Sequence, residues 1–243
     1  MRRYLLIFSA ILIISGLISA EKAFSWGDKG HLAIAKAAGY NRWYNAAGAD
    51  IAKIKAGNTE AFNHFSNNPQ GTVITKKTVY KQIKYYNSKK HSDGHLYGAI
   101  LAAVREYLQK RRSGKHAEPH LDYAVHYIGD LSQPLHNTVY NSFNRKNHMD
   151  IDMMANRYFK TFKNRIKIYP VTIKDEDDLA KKIADLANIS TELGYLIEKE
   201  NRTLTEQETE IQISHSASLI RGLLDYLNPE DSNRTKENDV PYY

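Results

Sequence analysis

The chain has 243 residues, a formal net charge of +7 and no cysteine. Without cysteine it can form no disulfide bond, so a bound metal is the alternative cross-link for an exported form. The length suits one sizeable domain, and a hydrophobic fraction of 42% is ordinary for a globular protein. The positive charge suits a phosphate-bearing partner, nucleic acid or anionic lipid, although many proteins that bind neither are also basic.

The first 25 residues are typical of a signal peptide. Two arginines stand near the start, an almost wholly apolar stretch runs from Tyr4 to Ile18, and small residues follow. The stretch is short for a membrane span, so we expect cleavage and a secreted or periplasmic protein, with an uncleaved anchor as the alternative. Cleavage could follow Ala20 or Ser25, and the second site would make Trp26 the new N-terminus.

Apolar periodicity predicts an all-α domain over residues 26–228, followed by a polar tail over 229–243. Val73 to Tyr86 is ambiguous between helix and strand because Val, Ile, Thr and Tyr favour strands. No other stretch alternates convincingly as a strand, and we find no internal repeat. In chain order, the other predicted helices cover Lys29–Ala38, Asn45–Lys55, Leu96–Arg112, a segment from Pro119 to before Pro134, Asn147–Asn164, a segment capped by Asp175–Asp178, and Thr205–Leu227.

The densest chemical motif is His-Tyr-Ile-Gly-Asp-Leu-Ser-Gln-Pro-Leu-His over residues 126–136, followed by His-Met-Asp-Ile-Asp over 148–152. Residues four apart lie on one face of a helix, so His126 and Asp130 present an imidazole beside a carboxylate. His148 and Asp152 repeat this spacing, which Asp150 does not share. Zinc binds such nitrogen and oxygen ligands, whereas buried helix histidines more commonly pack or hydrogen-bond. The second pair strengthens the metal-binding interpretation.

The run over 126–136 resembles the core signature of the bacterial zinc-dependent phospholipases C and of their relatives, the single-strand-specific zinc nucleases. Both groups are all-helical and hold three zinc ions in a cleft, so the resemblance implies the same fold and three zinc ions here. It covers the chain from Trp26 to about Asp152. The family pattern pairs an Asp with a later His, as in Gly-Ala-Asp50-Ile and Asn-His64-Phe, and places a His soon after an N-terminal Trp, as at His31.

The resemblance implies three ligand sets and one catalytic residue. The first set is Asp50, His64, His126 and Asp130; the second is His136, His148 and Asp152; the third is the amine and carbonyl of Trp26, with His31 and a bridging Asp130. The family suggests that Asp50 also helps to take a proton from the attacking water. An amine ligand must be free and deprotonated, which favours cleavage after Ser25. Other divalent ions accept similar ligands.

These residues predict a secreted zinc phosphodiesterase of the phospholipase C type, which cuts the glycerol-side phosphoester of phospholipids and contacts a membrane transiently. We infer no obligate protein partner. The short interval from His136 to His148 resembles the lipases, whereas Asp152 and the Trp-Gly-x-x-Gly-His opening resemble the nucleases. The alternatives are a single-strand endonuclease or 3′-nucleotidase that acts on nucleic acid, and a zinc-loaded protein without turnover.

Other histidines lie outside the family pattern. His91 and His95 could bind a metal by spacing alone, but their glycine and serine neighbours suggest a flexible loop with at most adventitious binding. His215 lies on an apolar face of a predicted helix, where a packed histidine is the usual outcome.

Overall fold

A computed structural model describes residues 26–55 and 59–228. The signal peptide predicted over 1–25 and the tail predicted over 229–243 lie outside these residues. Within the described ranges there are nine α-helices and no β-strand, which confirms the predicted all-α fold. The helices are α1 (Asp28–Ala37), α2 (Gly48–Lys55), α3 (Lys76–Gln82), α4 (Leu96–Arg112), α5 (Glu118–Leu131), α6 (Ser142–Met154), α7 (Phe162–Arg165), α8 (Glu176–Lys199) and α9 (Glu206–Leu227).

Side-chain caps fix the start of several helices. The Asp175 carboxylate accepts from the backbone N–H of Asp178 at 2.8 Å at the start of α8. Thr205 and Glu208 form a reciprocal capping box at the start of α9. Each cap satisfies a backbone N–H that has no partner within its helix, so it selects where the helix begins.

The ambiguous segment from Val73 to Tyr86 is helical. Thr75 caps α3, and Val79 and Gln82 bury the inner side of that helix at a spacing of three residues. A 3₁₀ turn over Ile83–Tyr85 then carries the chain away from α3. The strand-forming residues therefore yield to the cap and to burial on one helical face.

The predicted helix over Asn147–Asn164 differs in its bounds. Helix α6 begins earlier, because Asn141 accepts from the backbone N–H of Asn144 at 3.0 Å. It ends at Met154, and a 3₁₀ turn over Ala155–Phe159 follows before α7. That turn packs against α1, which ties the end of α6 to the first helix.

Helix α5 occupies the centre of the bundle. It packs along α4 and also contacts α1, α2, α8 and α9. Every residue from Ala124 to Leu131 is buried, so α5 lacks a solvated face over its second half. A helix enclosed in this way places polar side chains such as His126 and Asp130 in the interior, where they require partners.

The two longest described helices, α8 and α9, cover one side of α5. Leu179, Ile183 and Ala187 are buried at helical spacing on α8, and the opposite face of that helix is charged. Across residues 26–55 and 59–228, no helix combines the length and apolar character needed to cross a bilayer.

Candidate metal centre

Buried histidines and aspartates converge into three groups that could hold a metal ion. Within each group, one ligand atom from each residue lies within 4.8 Å of the others. Every histidine and aspartate predicted from the sequence as a ligand belongs to one of these groups. We call them the Asp130 group (His31, His126 and Asp130), the Asp50 group (Asp50, His64 and His126) and the Asp152 group (His136, His148 and Asp152).

Four separate elements meet at α5 to form the first two groups. His31 comes from α1, Asp50 from α2, and His64 from the residue after a 3₁₀ turn over Ala61–Asn63. Helix α1 can approach because Gly129 on α5 has no side chain: a Cβ there would lie 2.5 Å from Nδ1 of His31. The stacked rings of His31 and His126, with centroids 3.9 Å apart, reflect the same close approach.

The Asp152 group has both of its histidines fixed from the outer side. Nδ1 of His136 donates to the backbone carbonyl of His64 at 2.5 Å. Nδ1 of His148 donates to Oδ1 of Asn144 at 2.8 Å. The amide of Asn144 is itself oriented, since its Nδ2 donates to the carbonyl of Leu135 at 2.7 Å. These oxygens can only accept, so Nδ1 carries the hydrogen and the neutral rings present a lone pair at Nε2.

The two Nε2 atoms of His136 and His148 face each other at 3.0 Å. Oδ2 of Asp152 lies 3.5 Å from Nε2 of His148, and its Oδ1 accepts from Nε2 of Gln133 at 2.5 Å. Two imidazole lone pairs and a carboxylate oxygen that point at one place repel one another unless a proton or a cation lies between them. The donor set of the Asp152 group therefore fits a divalent metal ion.

The Asp50 group follows the same logic. Nδ1 of His126 donates to the carbonyl of Ala46 at 2.7 Å, which turns Nε2 inward. Nε2 of His64 donates to Oε2 of Glu60 at 2.6 Å, which turns Nδ1 inward. The two inward nitrogens are 3.2 Å apart, and Oδ1 of Asp50 lies 3.8 and 3.9 Å from them.

Asp130 lies between two positions. Its Oδ2 is 2.9 Å from Nδ1 of His64 and 3.3 Å from Nε2 of His126, whereas its Oδ1 is 3.3 Å from Nε2 of His31. One oxygen thus faces the Asp50 group and the other faces His31. This arrangement fits a carboxylate that bridges two cations.

The separations between facing atoms suit a small cation. Four ligands around zinc at bonds of about 2 Å are about 3.3 Å apart in a tetrahedron. Facing atoms in the groups are 2.9 to 3.9 Å apart. The nitrogen and oxygen donors suit zinc, and several other divalent ions accept the same donors.

The buried charges influence one another strongly. Burial would raise the pKa of Asp130, but the adjacent His126 and His64 hold it well below its ordinary value. Burial lowers the pKa of His31 to about 4, with a further contribution from the charge of His126. Asp130 is therefore an anion in the protein interior, and His31 is neutral at physiological pH, the state in which it can bind a metal.

Trp26 lies beside this centre. Its indole is fully buried and donates from Nε1 to Oγ of Ser132 at 2.9 Å. The next backbone N–H, of Gly27, donates to the carbonyl of Asp152 at 2.8 Å. The chain is therefore held against α6 at its first described residues. The amine of Trp26 becomes free only if the preceding residues are removed, and its role as a ligand stays a prediction.

The sequence analysis missed the residues that orient the ligands. Glu60 is the clearest of them, since its carboxylate contacts both His64 and the hydroxyl of Tyr127. Glu60 and His64 have the same four-residue spacing as the two recognised His–Asp pairs, and this signal was available. The carbonyls of Ala46 and His64 leave no side-chain signal, so only the folded structure reveals them.

His95 differs from the expectation of a flexible loop. It is fully buried at the residue before α4, and its Nε2 lies 2.9 Å from Oδ1 of Asn63. His91 lies nearby, with its ring stacked on Tyr85 at 4.4 Å. Neither histidine belongs to the three groups found among the described residues. His215 is partly buried and contacts the ring of Tyr169, which agrees with the expected packing role.

No protein-family model, no curated protein and no solved structure matches this chain.

Proposed function

We propose that the three groups bind divalent metal ions, zinc by preference, and that the protein is a phosphodiesterase of the phospholipase C type. The observation that carries the proposal is the convergence of inward imidazole nitrogens and carboxylate oxygens, each oriented from outside, around adjacent positions. Bound cations at such positions lower the pKa of water and stabilise the attacking and leaving oxygens of a displacement at phosphorus. The resemblance of residues 126–136 to the zinc-dependent phospholipases C supports the same reaction.

Solvent reaches the centre through two of its members. Asp50 is 6% exposed and His148 is 8% exposed, whereas the other histidines and aspartates of the three groups are almost completely buried. A substrate phosphate would therefore approach between α2, which carries Asp50, and α6, which carries His148. Asp50 is placed to accept the proton of the attacking water. The oxygen of that water bonds to phosphorus, and the glycerol oxygen leaves as the alcohol.

Exposed apolar side chains flank this opening and favour a lipid. Ile51 follows Asp50, Met149 follows His148, and Met153 follows Asp152, and all three side chains are more than half exposed. Arg145 precedes Met149 by one helical turn and is also exposed. Apolar side chains with a neighbouring cation suit the acyl region and the phosphate of a phospholipid.

One observation favours the nuclease as a second candidate. The ring of Tyr140 is exposed, and its centroid lies 6.4 Å from that of His148 in an edge-on arrangement. An exposed aromatic ring beside the centre could stack on a base of single-stranded nucleic acid. The net charge of +7 suits this substrate as well.

The test is an assay of the purified, untagged chain that begins at Trp26. It is incubated with phosphatidylcholine vesicles and, separately, with single-stranded DNA, in zinc and in excess chelator. Asp50→Asn serves as the impaired variant. Asp185→Asn is the matched control, because Asp185 is an exposed residue of α8 that pairs only with Lys181 in the contacts described.

Chelator-sensitive release of phosphocholine, lost in Asp50→Asn and retained in Asp185→Asn, is the expected result. DNA cleavage without lipid hydrolysis would replace the lipase by the nuclease. Stoichiometric zinc without activity on either substrate would instead indicate a metal-loaded protein without turnover.

A further inference from the structure

Glu60 lies outside the three groups but touches one of their members. Its carboxylate is buried, and its Oε2 accepts from Nε2 of His64 at 2.6 Å. Nε2 is the nitrogen of His64 that faces away from Asp50 and Asp130. Glu60 therefore contacts the ring on the side opposite to the candidate metal position.

The other oxygen of Glu60 is held by Tyr127. The Tyr127 hydroxyl donates to Oε1 of Glu60, and it accepts from Nδ2 of Asn63 at 3.2 Å. Burial, and then the charge of Glu60, raise the pKa of Tyr127 well above its ordinary value, so the hydroxyl keeps its proton as a donor. Glu60 thus has one fixed orientation, set by a residue next to His126 on α5.

Asn63 is fixed in turn. Its Oδ1 accepts from the backbone N–H of Asn87 at 3.1 Å and lies 2.9 Å from Nε2 of His95. Its Nδ2 also donates to Oδ1 of Asn87 at 2.7 Å. A buried network in which each member has its partner holds a side chain more rigidly than a single contact does.

From these contacts we infer that Glu60 is the positioning residue for His64: it holds the hydrogen of His64 on Nε2, so that Nδ1 is presented to the metal of the Asp50 group. The inference rests on the proposed metal-binding function. A carboxylate behind a ligating imidazole fixes the tautomer and the ring orientation and makes the ligand more basic. Without it, the hydrogen of a neutral His64 can move to Nδ1 and donate to Asp130, which would occupy the metal position with a proton.

The experiment measures zinc affinity by chelator competition in wild type, Glu60→Ala, Glu60→Gln, His64→Ala and the double variant Glu60→Ala/His64→Ala. Glu60→Ala should weaken one bound ion by roughly 10–100-fold, the usual effect of removing such an outer partner. Glu60→Gln should weaken it less, because an amide oxygen can still accept from Nε2. Cobalt(II) substitution gives a visible spectrum that should change in both Glu60 variants.

The double variant separates positioning from general damage. If Glu60 acts through His64, Glu60→Ala has no further effect on zinc affinity once His64 is alanine. Glu208→Gln is the matched control, because Glu208 is a hydrogen-bonded carboxylate of the α9 cap, on another part of the chain, and should change stability without changing zinc affinity.

Three results would overturn the inference. Unchanged affinity in both Glu60 variants removes any role for Glu60, and an equal loss with and without His64 makes its role structural. If wild type binds no zinc, the proposed metal site fails and the inference falls with it. Zinc binding without phosphodiesterase activity would reject only the proposed reaction, since every measurement above concerns the metal.

Discussion

Nδ1 of His136 donates to the backbone carbonyl of His64 at 2.5 Å. A member of the Asp152 group is thus held in place by the backbone of a member of the Asp50 group. The next backbone contact of this segment runs the same way, since the N–H of Ser66 donates to the carbonyl of His136 at 2.8 Å. The segment around His64 and the 3₁₀ turn that carries His136 therefore form one unit, and a shift of either is felt at both groups.

His126→Ala should remove metal and destabilise the protein much more than His215→Ala does. His126 is fully buried, and its loss leaves the carbonyl of Ala46 without its ring donor. With zinc present, we expect the free energy of unfolding to fall by about 3 kcal/mol, compared with less than about 1 kcal/mol for His215→Ala. Metal analysis and thermal melting of both variants check this. Equal losses would mean that His126 has only a structural role.

An extension before Trp26 should cost one metal ion. A chain that begins at Trp26 has a free amine there, whereas a leading methionine converts that amine into an amide that cannot bind a metal. The two forms should differ by one zinc ion per chain. An identical extension at the C-terminus is the control. Equal zinc in all three preparations would exclude the terminal amine as a ligand.

Gly129→Ala should displace His31. The added Cβ would lie 2.5 Å from Nδ1 and 2.6 Å from Cε1 of that ring, so α1 and α5 have to separate. Such overpacking costs about 1–3 kcal/mol, and we expect metal binding at the Asp130 group to weaken with it. Gly48→Ala is the matched control, because a Cβ there meets nothing within 4 Å. A stable, fully loaded Gly129→Ala protein would show that the close approach is unimportant.

The stability of the metal-free protein should fall in acid, partly because of His95. Burial, and then the charge of His91, lower the pKa of His95 to about 4 from an ordinary value of 6.5. Between those two values the unfolded chain binds a proton that the folded protein does not bind. The free energy of unfolding therefore decreases as the pH falls from about 6.5 towards 4, by at most about 1.4 kcal/mol per pH unit for one proton.

His95→Gln removes this proton while keeping a side-chain donor for Asn63. Denaturant unfolding at several pH values in excess chelator should give a shallower decline for His95→Gln than for wild type. Parallel curves would show that His95 is not protected from protonation in the folded protein.

The helices were most predictable where strong local signals agree. The apolar spacing on α4 predicted Leu96–Arg112, which the structure reproduces, and Gly114 follows with a positive φ of 65°. The bounds of α6 were wrong because its start depends on the weak cap of Asn141. Its end depends on the packing of Ala155–Phe159 against α1, and no local pattern encodes that contact.

The ligand-type side chains were predictable for a similar reason. A four-residue spacing puts His126 beside Asp130 and His148 beside Asp152 on one helical face, whatever the rest of the fold. The orienting contacts were not predictable, because the carbonyls of Ala46 and His64 belong to backbone brought in from distant segments. The same limit applies to Asn144, which serves as the N3 residue of α6 and as the acceptor for His148.

His126 belongs to both the Asp130 group and the Asp50 group, yet only its Nε2 faces inward. A single lone pair can serve one cation at a time, so whichever ion takes it leaves the neighbouring position poorer by one ligand. The order of loading then matters: the first ion to arrive decides how much of Asp130 remains for the second. Preparations with less than full metal would accordingly contain molecules loaded at different positions, rather than one uniform intermediate.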